Sequence, residues 1–183
     1  PFSVGITHVH HFYTKRNLFT SSLIMHYLST DTLLTLSYRG KFSLTSFIVK
    51  TGSRLHNIGI KKGHLNLAGA VPNTLYVPSF VAERNIKELF EKKAEEICKS
   101  LDPLTNTTNS VYTATCSSTD LHSPTKTINY IFTDPPFGGN LMYSELNFLW
   151  EAWLKVFTNN EPEAIMNNVQ QKGLLEYQEL MTR

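Results

Sequence analysis

A chain of 183 residues with 41% apolar and 17% charged side chains has the composition of a globular domain, which sets aside a disordered tail. No apolar run reaches the roughly 18 residues of a membrane span, no signal-peptide pattern is visible, and the two cysteines, Cys98 and Cys116, form no CxxC pair. These features point to a cytoplasmic chain with reduced thiols and no zinc ribbon. The net charge of +2 conceals an asymmetry. Residues 1–82 carry eight Lys/Arg against one acid, and residues 83–183 carry nine against fourteen. A basic half attracts phosphates, or it is simply a solvated surface.

The opening PFSVGITHVHHFYT reads as a loop ending at Thr14. Its His8, His10 and His11 have no Cys or carboxylate near them in sequence, so a loop role is favoured over a metal site. Thr14 is placed to cap a helix running to about Leu28, with Phe19, Leu23 and Tyr27 at four-residue spacing. Residues 33–50 fit a strand by β-branched and aromatic content and a helix by length. Gly40 interrupts either, and the balance leans to helix. The next thirty residues, rich in Gly, Pro and Asn, predict an irregular segment with short strands near Leu65–Leu67 and Thr74–Val77. Residues 1–80 therefore read as a basic, loop-rich part.

From Val81 to about Lys99 the pattern is helical, with Ile86, Leu89, Phe90, Ala94 and Ile97 on one face and charges on the other. Strands are expected at Val111–Cys116 and Ile128–Thr133, the second short and apolar as buried parallel strands are. Tyr143 to about Phe157 predicts a helix with a stripe of Leu146, Leu149, Trp150, Trp153, Leu154 and Phe157, its tryptophans serving as core. A last helix starts near Gln170. Strands alternating with helices over 81–183 predict an α/β domain with a mostly parallel sheet, in which ligands sit beyond the carboxyl ends of the strands. Asp134 would be the first residue past such an end.

The sequence around it, IFTDPPFGGN, is more than a turn needs. Pro135 and Pro136 fix two successive φ angles, donate no N–H and press the preceding residues toward extended backbone. The product is a stiff corner. Asp134 offers a carboxylate and Pro135 a carbonyl, two acceptors suited to both hydrogens of a planar exocyclic amine. Phe137 offers a flat face, and Gly138 and Gly139 leave room for a ligand. A nucleobase amine is a poor nucleophile because its lone pair is delocalised. Two acceptors can hold it so that the lone pair faces an electrophile. A base so treated must leave its stack, and aromatic stacking of roughly 1–3 kcal/mol offsets much of that cost.

The DPPF motif following an apolar segment resembles the catalytic motif of the amino-methylating DNA methyltransferases, which act on adenine N6 or cytosine N4. The stretches GITHVHHFYTKRNL (5–18), NTLYVPSFVAERNIKELFEKK (73–93) and NYIFTDPPFGGNLMYSELNFLWEAWLKVFTNN (129–160) extend the likeness to a branch of large bacterial DNA methylases, over most of the chain. Asp in place of Asn at the first motif position favours nucleobases over the glutamine-modifying relatives. The resemblance implies a Rossmann-like methyltransferase fold, S-adenosylmethionine as methyl donor, double-stranded DNA as partner with its base flipped, and no metal. Restriction-modification is the setting it suggests.

Residue by residue, the resemblance implies Asp134, Pro135 and Phe137 as catalytic, and Pro136, Gly138 and Tyr143 as substrate-binding. Asp120 matches the acidic position near the cofactor adenine, or else is a loop Asp capping local backbone. Arg54, Lys61 and Lys62, followed by Lys15 and Arg16, are candidates for gripping phosphates. One departure stands out: the family's glycine-rich Phe-x-Gly-x-Gly cofactor loop is absent from these residues. That element is expected upstream of Pro1, and the next block beyond Arg183. The chain is thus expected to be an internal piece, inactive by itself. The rival expectations are a non-catalytic module that grips nucleic acid or a partner, and a methyltransferase acting on RNA or protein.

Overall fold

The computed structural model describes residues 5–30, 32–103, 111–114, 116 and 126–182. They form five α-helices and one antiparallel hairpin: α1 (Lys15–Thr30), α2 (Leu34–Ile48), β1 (Asn57–Lys61), β2 (His64–Gly69), α3 (Ile86–Leu101), α4 (Tyr143–Leu154) and α5 (Leu174–Thr182). The chain divides into two compact units. One comprises Pro1–Thr108 with Leu149–Val156, and the other comprises Asn109–Phe148 with Phe157–Arg183.

In the first unit α2 packs against α1 and α3. Its core gathers Phe12, Tyr13, Leu44, Phe47, Ile48, Leu55, Ile86 and Leu149, with Trp150 and Trp153 packed against it. Each fully buried aliphatic side chain here is worth about 1.5–3 kcal/mol. Both indoles have partners: Trp150 Nε1 donates to the Thr45 carbonyl at 3.0 Å and Trp153 Nε1 to the Tyr13 hydroxyl at 2.8 Å. Core packing is thus the role of both tryptophans. Burial pushes the Tyr13 hydroxyl pKa well up, against the opposing effect of the Trp153 bond, so Tyr13 stays a neutral phenol.

The helix starts follow from their caps. Thr14 Oγ1 accepts from the Asn17 N–H at 3.2 Å, which is the cap expected for α1. Asn85 accepts from the Lys87 N–H at 3.1 Å, so α3 starts at Ile86 rather than at Val81. Along α3 the expected face is the inner one, with Ile86 buried and Leu89 and Phe90 against the core. On α1 the expected apolar stripe faces outward instead: Phe19 and Tyr27 are 70% and 66% exposed, while Asn17 and Ser21 are buried. The helix α2 explains this. It presents small residues, Ser37, Gly40 and Ser43, and a Cβ on Gly40 would collide with Leu28 of α1. The Ser37 hydroxyl bonds the Leu28 carbonyl, and the Asn17 amide bonds the Gly52 carbonyl. Gly40 thus marks a close helix approach and not a break.

Ser21 Oγ is fully buried with no hydrogen-bond partner among the described residues. Ser21→Ala removes that unsatisfied hydroxyl and improves helix propensity. It is expected to raise stability by about 1 kcal/mol, read as a higher melting temperature.

His56 is buried, and its Nδ1 has no partner. Burial lowers its pKa, aided by the Arg84 charge and opposed by a hydrogen bond to the Thr51 backbone. The unfolded chain therefore binds this proton more readily than the fold does. The stability contribution is complete above the ordinary value of 6.5 and declines as pH falls below it. Melting measured from pH 7.5 down to 5 is expected to show this decline. His56→Gln is expected to flatten it.

The hairpin is a two-residue type I′ turn. Lys61 pairs with His64 around Lys62 and Gly63, whose φ angles are 50° and 77°. Its first strand lies in a stretch expected to be irregular, and its second extends the strand expected at Leu65–Leu67. The expected strands at Thr74–Val77, Val111–Cys116 and Ile128–Thr133 are not strands among the described residues. The sheet is antiparallel and two-stranded, unlike the mostly parallel sheet that the alternation predicts. The segment 128–133 illustrates the reason. It is mostly apolar and irregular, with a bend at Asn129; no neighbouring strand among the described residues meets its backbone, and Phe132 is 83% exposed.

Candidate functional site

The DPPF corner belongs to the second unit, and that unit's own residues hold it. The backbone over 131–137 is irregular, and a turn closes from the Phe137 carbonyl to the Asn140 N–H at 3.0 Å. Gly138 has φ +51°, the left-handed conformation that glycine supplies at least cost. Its carbonyl accepts from the Met166 N–H at 3.2 Å, and the Met166 side chain fills the space beside both glycines. The room at Gly138, expected to be open to a ligand, is taken up by the chain's own methionine, whereas Gly139 is exposed. The Pro136 carbonyl accepts from the Tyr177 hydroxyl on α5 at 2.9 Å.

Behind the corner lies Asn167, buried and fully used. Its amide nitrogen donates to Glu145 Oε1 at 2.9 Å, and its amide oxygen accepts from the Val169 N–H at 2.9 Å and the Gln170 N–H at 3.3 Å. Its backbone exchanges hydrogen bonds with Lys172 in both directions, at 2.9 and 3.0 Å. Glu163 reaches the start of α4, accepting from the Ser144 N–H at 3.0 Å and the Ser144 hydroxyl at 2.7 Å. A carboxylate there satisfies free helix donors and suits the helix dipole. Lys172 closes the loop by donating to the carbonyls of Asn160 and Glu163.

Against this anchored background, Asp134 and Pro135 are exposed. The Asp134 carboxylate and the Pro135 carbonyl have no hydrogen-bond or ionic partner among the described residues. Phe137 is 64% exposed. Two unengaged acceptors and one exposed ring therefore stand on a corner whose Pro136, Phe137 and Gly138 carbonyls are engaged. Tyr143 opens α4 and is partly exposed. Asp120 lies outside the described residues.

The basic candidates separate. Lys15 and Arg54 line one groove of about 660 Å³ in the first unit, together with His10, His11 and Tyr13. The Arg54 Nη1 donates to the His11 carbonyl at 3.0 Å, which fixes the guanidinium. Arg16 does not join them; it is paired with Glu83 at 2.9 Å. Glu83 also accepts from the Thr14 hydroxyl at 2.6 Å, the leading cause of its lowered pKa. Lys61 and Lys62 sit at the exposed hairpin turn, outside the groove. The three imidazoles of His8, His10 and His11 cluster at 4.3–5.4 Å between centroids. Even so, no group of three His, Cys, Asp or Glu among the described residues has the geometry to hold a metal ion.

Sequence reasoning missed Met166, Asn167 and Tyr177. The only signal of the first two is the polar run NNVQQKG after an apolar pair, which marks a turn. Comparison with known proteins adds no relative: no family model, no curated protein and no solved structure matches this chain.

Proposed function

We propose that this chain carries the base-binding corner of a DNA amino-methyltransferase of Rossmann-like fold, acting on adenine N6 or cytosine N4 with S-adenosylmethionine as donor. The observation that carries the reading is the pair of unengaged acceptors, Asp134 carboxylate and Pro135 carbonyl, on a proline corner next to an exposed Phe137. The two acceptors take the two amine hydrogens of a flipped base, and the ring of Phe137 stacks on it. Drawing the two hydrogens out of the ring plane localises the lone pair on nitrogen and turns it toward the donor. S-adenosylmethionine supplies an electrophilic methyl group. Its glycine-rich cradle is not among these residues, whose nine glycines form no such cluster. The part of the chemistry assigned to this chain is therefore binding and orienting the amine.

The test is mapping of N6-methyladenine and N4-methylcytosine in DNA from cells carrying the intact gene, against cells carrying the Asp134→Ala form. A modified base that appears with the first and vanishes with the second supports the reading. No modified base with either removes it.

A further inference from the structure

The groove at the start of α1 has two kinds of lining. Lys15, Arg54, His10 and His11 line it together with the apolar Ile6, Leu18, Val77 and Pro78. No acidic side chain lines it. The Lys15 ammonium has no acceptor among the described residues, and Arg54 spends only Nη1, on the His11 carbonyl. His11 Nδ1 accepts from the Thr7 N–H at 3.2 Å, so a neutral His11 carries its proton on Nε2 and offers one more donor. Its volume of about 660 Å³ lies in the range of small-molecule sites.

Two cations and imidazole donors without a counter-anion fit a phosphate, which accepts charge-assisted hydrogen bonds from a guanidinium and an ammonium. The apolar lining residues suit the less polar sugar and base of the same ligand. We propose that this groove binds one nucleotide through its phosphate, either as a free mononucleotide or as one unit of a nucleic-acid strand. The hairpin lysines, Lys61 and Lys62, take no part. The inference does not rest on the methyl-transfer reading, since binding is measured without turnover.

The experiment is an NMR titration of the isotope-labelled 183-residue chain with adenosine 5′-monophosphate, with adenosine, and with a short oligodeoxythymidylate. The mononucleotide is expected to shift Lys15, His11 and Arg54 resonances saturably, and adenosine to bind at least about tenfold more weakly. Lys15→Gln, a substitution at an exposed position, is expected to weaken mononucleotide binding about tenfold with unchanged melting, and the Lys61→Gln, Lys62→Gln double variant to leave it unchanged. If the oligonucleotide displaces the mononucleotide from the same resonances, the source is a strand; if it does not, the source is the free nucleotide. Equal binding of adenosine and its monophosphate overturns the proposal, as do shifts confined to the hairpin turn. A Lys15→Gln variant that folds and binds normally also overturns it.

Discussion

Asp134→Ala is expected to lower methyl transfer by the intact protein at least a hundredfold, on the order of what misplacing a reacting group costs. Stability should move by no more than about 0.5 kcal/mol, because the side chain is exposed and unpartnered among the described residues. Turnover of labelled methyl groups into duplex DNA and thermal melting of the same preparation give the two readings. Asp134→Asn is the sharper variant. It keeps the shape and one acceptor oxygen but exchanges the carboxylate for an amide, whose NH₂ would face the amine's own hydrogens. A rate near that of the alanine form is therefore expected. Survival of turnover within a few-fold for either variant would mean that Asp134 does not orient the amine.

The second large effect is expected at a residue with no chemistry of its own. Asn167→Ala removes a buried amide that donates to Glu145 and accepts from the Val169 and Gln170 N–H groups. The loss of these bonds, and the backbone donors left short of partners, cost about 2–4 kcal/mol. The damage is expected to be local. Hydrogen exchange should quicken at Met166, whose N–H bonds the Gly138 carbonyl, and at Asn140 in the turn after Phe137. The core of the first unit, around Leu44, Ile48 and Ile86, should keep its protection. Asn167→Asp separates size from donor capacity. It retains the acceptor but replaces the donor to Glu145 with a second carboxylate, and it is expected to fall between the alanine form and the native chain. Uniform exchange across both units, or none, would contradict a hinge of stability at Asn167.

The corner was legible because two adjacent prolines fix backbone wherever they stand. No tertiary partner is needed to infer that Asp134 and Pro135 are held in place. Caps were legible for the same local reason: Thr14 and Asn85 bond the N–H groups two or three residues on. What surrounds the corner was not. Tyr177 reaches Pro136 across 41 residues, and Met166 fills a space that the glycines alone suggested was open. The sheet failed for a related reason. Alternation and β-branched content describe a segment that can pair, whereas a strand exists only when a neighbour supplies its ladder, and 128–133 has none among the described residues. On α1 the four-residue spacing of Phe19, Leu23 and Tyr27 marked the helix but not its inner face, because the smallness of Ser37, Gly40 and Ser43 on α2 decides which face can approach. Among the basic residues, sequence gave charge without partner. Arg16 is claimed by Glu83, while Lys15 and Arg54, distant in the chain, share one wall.

The bond from the Tyr177 hydroxyl to the Pro136 carbonyl has a kinetic consequence. The helix that supplies it, α5, spans nine described residues and is held by tertiary contacts such as this one. The prolines set the corner's backbone, and this bond adds a tether from α5 at the Pro136 carbonyl. Under the methyl-transfer reading, whatever steadies that helix steadies the acceptor pair, and whatever melts it loosens the pair, although neither touches the acid.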